Sequence, residues 1–402
     1  MKLTVSVITC VFLSFATTAP AQSGAAPKTV LLNPAAVAAA KAHPAPGLMS
    51  QMIKEADEAM KTPPLSVTSK TKVPPSGDKH DYVSLARYFW PNPDTKDHLP
   101  YVRHDGKTNP EIYDIHDLAD LERTTRSARA LAVGWYFTGD KRYAEHAALL
   151  LRNWFLNPDT RMNPNANFAQ YIPGVNDGRG AGILDLRRST YAIDAAGLLA
   201  GSSYWTAADE TGLKQWFSDY YDWLHTSAGA KTETVAPNNH GSWFQMQDAA
   251  VASYLGKPED VRATAERVLE KRIPSQFDEK GLQKYEMVRT NSFSYSAFNL
   301  EALTQLAIIA GPVGVDLYTP AKPGDPGILS GLDALLPYDK DHPWPGQQIN
   351  PELRDAICPA LARAVGHTHD AKYLDAQKRF GCQTSVQAMI DAMGSGTPAP
   401  QR

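Results

Sequence analysis

Cysteine is scarce: the chain has 3 in 402 residues. Cys10 sits in an apolar N-terminal run, far from the small residues "APA" at 19–21, so it does not fit a lipid-attachment cysteine. Cys358 and Cys382 have no histidine partner by motif. Two structural readings remain for them, a disulfide or two reduced, buried thiols. An excess of one charge is also lacking, with a net charge of -3. That excludes the basic footprint of a nucleic-acid binder, and a polyanionic ligand then needs a local basic cleft that the global balance hides. Long apolar runs are missing beyond Leu3–Ala16, which is too short to span a bilayer. Preceded by Lys2 and followed by "APA", that run reads as a secretory signal peptide cleaved after Ala21. A periplasmic or secreted protein with no membrane anchor is expected.

Strand signals are absent too: there is no convincing hairpin and no βαβ alternation. The stretch "NDGRGAG" is glycine-rich but lacks the dinucleotide fingerprint and any flanking strand. No acidic calcium loop appears. "HTHD" offers His367 and His369 two residues apart, with no third ligand at helical spacing. No metal and no cofactor are expected.

What is present is a globular composition, 43% apolar and 21% charged. Helical periodicity dominates from Gly47 onward. "LMSQMIKEADEAM", "HDLADLERTTRSARALAVGWYFTGD" and "KRYAEHAALLLRNWFLNP" open a series that continues to "DAKYLDAQKRF". Many of these stretches begin at a cap or proline and end at glycine. About ten helices in consecutive pairs with short links predict an all-α array or toroid, with no exact repeat. Residues 1–21 are the signal, 22–46 a loose Ala/Pro leader, 47–395 the main domain and 396–402 a tail. A monomer is expected. The irregular parts 63–115, 157–184 and 311–350 are long enough to build one face of the toroid. One of them carries Tyr88, Phe89, Trp90, Tyr101 and Arg103. Aromatic rings stack on sugar faces and guanidinium groups pair with carboxylates; the alternative is a loop that packs its rings onto the helical body.

"PNNHGSWF" at 237–244 crowds two amides against His240. Asn238 or Asn239 can cap the helix that follows. Some 50 residues on, "YEMVRTNSFSYSAFNLEAL" supplies Arg289 and Tyr295. Amide, imidazole, guanidinium and phenol together suit β-elimination at a uronic acid. Asn239 and Arg289 would neutralise the carboxylate beside C5. His240 and Tyr295 would take the C5 proton and protonate the departing O4. In mannuronate and glucuronate the two lie on one side, so Tyr295 alone can serve; in guluronate they lie on opposite sides, so His240 serves as base. Tyrosine as base must ionise far below its reference value of about 10. Each residue also has an ordinary reading: a cap, a structural histidine, an Arg289–Glu286 pair, a core tyrosine.

These motifs, with "ARYFWPNPDT…LPYVRHDGKTNPE", "ANFAQYIPGVNDGRGAGILDLR" and "HPWPGQQI", resemble the alginate lyase superfamily of helical-toroid polysaccharide lyases. The resemblance implies an incomplete α/α toroid with a substrate cleft formed by loops. It implies an anionic polysaccharide substrate, and the roles above for Asn239, His240, Arg289 and Tyr295. "YSAF", with Ser296 and Phe298, departs from the periplasmic enzymes' tyrosine–histidine pattern. It looks more like a branch that includes alginate and glucuronan lyases. Substrate contacts to the sugar hydroxyls are expected from Arg87, Tyr88, Trp90, Gln170, Tyr171, Asn176 and Arg179, with Asn238 beside the catalytic pair. Metal-independent elimination favouring mannuronate or glucuronate bonds is the expected activity. A toroid glycoside hydrolase would need two flanking carboxylates, with Asp177, Asp185 and Glu286 available. A non-catalytic polysaccharide-binding protein would tolerate loss of Tyr295.

Overall fold

The computed structural model describes residues 26–339 and 341–394. The expected signal peptide and the tail from 396 lie outside the described residues. In order, the helices are α1 (Pro34–Ala42), α2 (Leu48–Ala59), α3 (Asp117–Thr138), α4 (Lys141–Leu151), α5 (Tyr191–Leu199) and α6 (Ala207–Thr226). They continue as α7 (Ala228–Val235), α8 (Asn239–Tyr254), α9 (Pro258–Arg267), α10 (Ile273–Gln276) and α11 (Ser292–Ala310). The last are α12 (Ile328–Leu335), α13 (Cys358–Thr368), α14 (Ala371–Arg379) and α15 (Val386–Met393).

Local chemistry sets the boundaries. Gly139, in the left-handed region at φ 71°, ends α3. The Asp140 carboxylate accepts from the Arg142 N–H and starts α4 at once. Thr206 and Asp209 form a reciprocal capping box at the start of α6. Packing then builds a ring without a closed barrel. α3 lies against α2, α4 and α5; α8 against α9 and α11; α11 against α13; and α15 against α13 and back onto α1 and α2. Trp154, Phe155, Phe217, Tyr220, Leu300 and Leu303 lie in one continuous core. Each such side chain contributes about 1.5–3 kcal/mol when fully buried. α8 is buried on nearly every face from Asn239 to Ala252, so a side chain at its first turn sits on a fixed support.

Three expectations need correction. Residues 26–46 are not a loose leader. Asn33 caps α1, whose Ala36, Val37 and Ala40 are fully buried. The Asp194 carboxylate of α5 accepts from the backbone N–H groups of Val30, Leu31 and Leu32 at 2.7, 2.9 and 3.0 Å. Short strands also occur: β1 (Val83–Leu85) pairs in parallel with β4 (Phe168–Tyr171), and β2 (Phe89–Trp90) pairs antiparallel with β3 (Val102–Arg103). They are too short to show a period-two pattern. Finally, residues 311–350 do not line the cleft described below. Cys358 and Cys382 are joined as a disulfide, with Cα atoms 5.5 Å apart, tying the start of α13 to the turn after α14. Among the described residues, no helix is long and apolar enough to cross a membrane.

Candidate active site

A cleft of about 680 Å³ opens between the β2 and β3 strands, the β4 segment and the first turns of α8 and α11. It collects His240, Arg289, Tyr295, Arg87, Tyr88, Gln170, Arg179 and Asn238 from the residues expected at the site. Asn239, Trp90, Tyr171 and Asn176 do not line it.

α8 begins with Asn238 as its cap, the Oδ1 accepting from the His240 N–H at 3.2 Å. That geometry points His240 into the cleft and turns Asn239 inward. His240 Nδ1 lies 2.8 Å from Glu233 Oε2, at the end of α7. A carboxylate can only accept there, so Nδ1 carries the proton and Nε2 keeps its lone pair in the neutral ring. Glu233 was not picked out from the sequence. The available signal was an acid seven positions before the histidine, across the break at Pro237.

Asn239 is fully buried. Its backbone N–H donates to Glu286 Oε1 at 2.7 Å, and its amide donates to both Glu286 oxygens at 3.0 and 2.9 Å. Burial pushes Glu286 above the usual carboxylate range, and the Asn239 donors pull it back. The amide that borders the cleft is that of Asn238.

Arg289 is held by Asp105 rather than Glu286. Its Nε and Nη2 donate to the two Asp105 oxygens at 3.1 and 2.8 Å. Its guanidinium covers the Tyr295 ring at 3.7 Å from the centroid. Asp105 also accepts from the Thr290 N–H and hydroxyl at 3.2 and 3.0 Å. Burial opposes its charge, but the Arg289 and Thr290 hydrogen bonds prevail and hold its carboxyl well below the usual range. Gly106 permits this close approach: its φ is +75°, and a Cβ there would collide with Thr290 Oγ1.

The Tyr295 hydroxyl shares a short hydrogen bond with the Tyr88 hydroxyl. Burial is the main force pushing the Tyr295 phenol far above its ordinary value. Tyr88 adds to the rise, and Arg289 only partly opposes it. The resting residue is therefore a protonated phenol.

The opposite wall is braced by Asp185, which accepts from Tyr82 at 3.2 Å, Ser84 at 2.6 Å and Gln170 Nε2 at 2.8 Å. Gln170, in the left-handed region at φ 51°, accepts in turn from Arg179 Nη2 at 2.7 Å. Such strain in a non-glycine residue persists only where neighbours over-determine it. The other cleft carboxylate, Glu122, accepts from Arg126 at 2.8 Å and lies 3.4 Å from Arg188. With Glu286 buried behind Asn239 and Asp177 in another pocket, the expected hydrolase carboxylates do not flank one free space. Trp90 donates its indole N–H to the Lys107 carbonyl at 2.9 Å. Tyr171 and Asn176 line a separate groove with Tyr101 and Lys72. His367 stacks on Tyr318 at 4.0 Å between centroids. Among the described residues, no group of three or more His, Cys, Asp or Glu side chains could hold a metal.

The sequence profile described as alginate lyase matches residues 66–344. The crystal structure of an alginate lyase from Bacteroides ovatus is similar at 34% identity and a TM-score of 0.85, covering 91% of this chain and 99% of that one. Alginate lyase A1-III from Sphingomonas species A1 is similar at 18% identity and a TM-score of 0.53, over 83% of this chain and 89% of its own. A variant of A1-III complexed with a tetrasaccharide gives 17% and 0.57, over 93% and 98%. At that identity the A1-III structures speak to the fold alone. Among curated protein sequences, none matches. With the profile spanning most of the chain and the Bacteroides enzyme matching nearly its whole length, the chain belongs to the alginate lyase family and is a polysaccharide lyase.

Proposed function

We propose that this lyase cleaves alginate by metal-independent β-elimination, with His240 as the base and Tyr295 as the acid. The observation that carries this reading is the pairing of two differently prepared groups at one cleft. Glu233 fixes the His240 tautomer that leaves Nε2 free to accept, and burial opposes the Tyr295 phenolate, so Tyr295 enters the reaction as the hydroxyl form. His240 Nε2 takes the C5 proton. The C5–H electrons form the C4–C5 double bond as the C4–O4 bond breaks, and the Tyr295 hydroxyl protonates O4. The product carries a 4,5-unsaturated uronate. Arg87, Arg179 and Asn238 contact the sugars on either side.

A division of labour between two residues suits guluronate bonds, where proton and leaving oxygen lie on opposite faces. The single-tyrosine route open to mannuronate and glucuronate needs a phenolate, which burial of Tyr295 opposes. Polyguluronate is therefore expected to be cleaved, and polymannuronate to be cleaved with a rate that climbs further toward high pH. This moves the reading away from a strict mannuronate preference. Export is the setting supported by the N-terminal residues and by the disulfide. The test is ultraviolet absorbance over time on polymannuronate, polyguluronate and glucuronan, with and without chelator, from pH 6 to 10. Flat traces on all three polymers would sink the reading, and loss of activity in chelator would remove its metal independence.

A further inference from the structure

The two groups first assigned to the substrate carboxylate are already engaged: the Asn239 amide with Glu286, and the Arg289 fork with Asp105. Arg103 also pairs with Asp105, at 2.6 Å. Among the described residues, the cleft arginines with no carboxylate partner are Arg87, Arg179 and Arg187. Arg87 is exposed at the rim, and Arg179 is braced by Gln170 on the far wall.

Arg187 is placed differently. It lies on a 3-10 helix, Gly180–Thr190, that packs against α8. Its Cζ is 5.5 Å from the Trp243 ring and 5.3 Å from the Phe298 ring. Those rings touch, with centroids 4.9 Å apart. Trp243 is three residues after His240 on α8, and Phe298 three after Tyr295 on α11. Residues at that spacing share a helix face about 5–6 Å apart. Arg187 therefore sits one helical turn beneath the proton-transfer pair, between the two helices that carry it. Its Nε has no hydrogen-bond partner, and Nη1 donates to the Leu184 carbonyl at 2.9 Å. Its neighbour Arg188 is faced by Glu122 and Glu301, at 3.4 and 3.9 Å; Arg187 has no carboxylate within ion-pair distance, and Glu301, Glu122 and Asp185 only partly offset its burial from farther away. Burial, then the adjacent Arg188, pushes Arg187 down to about 10. A cation held against both forces is stabilised when an anion arrives.

The carboxylate of a uronate is bonded to the carbon that loses the proton, so its partner must stand within one side chain's reach of both His240 and Tyr295. We propose that Arg187 binds the carboxylate of the reacting uronate from beneath, and that it rather than Arg289 is the main cation neutralising that group. This rests on the β-elimination reading above.

The test uses Tyr295→Phe as a background that binds without turnover. Calorimetry on that protein, with and without Arg187→Met, compares an alginate trisaccharide with its methyl ester. Losing one charged hydrogen-bonded pair should weaken binding of the acid form about 10- to 100-fold, and leave the ester within about two-fold. Arg187→Lys, which keeps charge without the fork, should lose less. Equal losses for acid and ester would assign Arg187 to packing between Trp243 and Phe298 and overturn the inference. Unchanged binding of both would overturn it equally. Should Arg187→Met fail to fold, Arg187→Lys carries the comparison, its acid-form loss having to exceed its ester-form loss. Absorbance assays on the wild type separate this from the broader reading: activity there with no acid-selective loss condemns only the role of Arg187.

Discussion

The two sides of β4 make an instructive pair. Gln170 faces the cleft, and its neighbour Tyr171 faces a groove on the other side. The groove is of comparable size, about 900 Å³ against about 680 Å³. It has aromatic rings, with Lys72 over the Tyr171 ring at 5.3 Å, and so has the look of a sugar site. Its charge is wrong for a polyuronate: Asp97, Glu111 and Asp177 line it beside Lys72. The cleft instead gathers five arginines against Glu122 and Asp185, and both of those acids are engaged. Size does not locate chemistry here. The proposed mechanism places it where cations converge beside His240 and Tyr295.

The sharpest way to break that contrast is to alter one hydroxyl on each side. Tyr295→Phe removes only the acid, and kcat should fall about 10³-fold, within the range typical of general acid–base groups. Tyr101→Phe, on the groove side, should leave kcat within two-fold. Stopped or continuous ultraviolet assays on alginate measure both, and comparable losses would end the claim that the cleft is the reacting site.

The next effect lies in the support of the base. Glu233→Ala frees the His240 ring to rotate and exchange tautomers. A roughly 100-fold loss of kcat is expected with little change in KM, since Glu233 is buried behind the histidine and does not touch the cleft. Glu233→Gln, which can still accept at Nδ1, should retain more. A loss confined to KM would move Glu233 into substrate binding.

A smaller effect should follow from Asp105→Asn. The carboxylate is held below its usual range, so its contribution is fully present above about pH 4 and is lost as pH falls toward the lower folded value. Removing the charge costs about 1–2 kcal/mol of stability at neutral pH, because Arg289 and Thr290 keep a weaker acceptor. It also frees one positive charge for the cleft, and KM for alginate should fall by about three-fold. Thermal melting from pH 3 to 8 and steady-state kinetics check the two halves, and the variant's stability difference should begin to narrow below about pH 4.

Much of this could be read from the sequence. Periodicity and caps located α2, α3, α4 and α6, and closing glycines marked α8 and α11, which are buried nearly all round. The leader was misjudged for want of hydrophobic contrast: an alanine run conceals a helix that Asn33 and Pro34 do signal. His240, Arg289 and Tyr295, which line one cleft, were singled out because one mechanism needs all their side-chain types. Their partners were not. Asp105 is 184 residues from Arg289, and Glu286 is 47 from Asn239. No spacing rule links such pairs. Nor can "PNNH" tell which asparagine faces the cleft, since that depends on where the cap falls. Arg187 and Arg188 are adjacent and identical in type, and only their neighbours distinguish the closely paired cation from the one without a carboxylate within ion-pair distance.

The last expected effect is the most discriminating about β4. Gln170 sits at an irregularity in β4, in the left-handed region, so its side chain and that of Tyr171 reach different pockets, sharing a backbone and little else. Gln170→Ala removes the link between Asp185 and Arg179, 2.8 and 2.7 Å long, and releases an arginine from the cleft wall. KM for alginate should rise about five- to ten-fold, the loss of one or two hydrogen bonds at about 1 kcal/mol each. Tyr171→Ala removes a ring covered by Lys72 in an acid-lined groove, and KM should change by less than two-fold. If Tyr171→Ala proved the costlier of the two, the polymer would have to run across β4 into the outer groove. Tyr171, Tyr101 and Asn176 would then return to the substrate path that their sequence context first proposed.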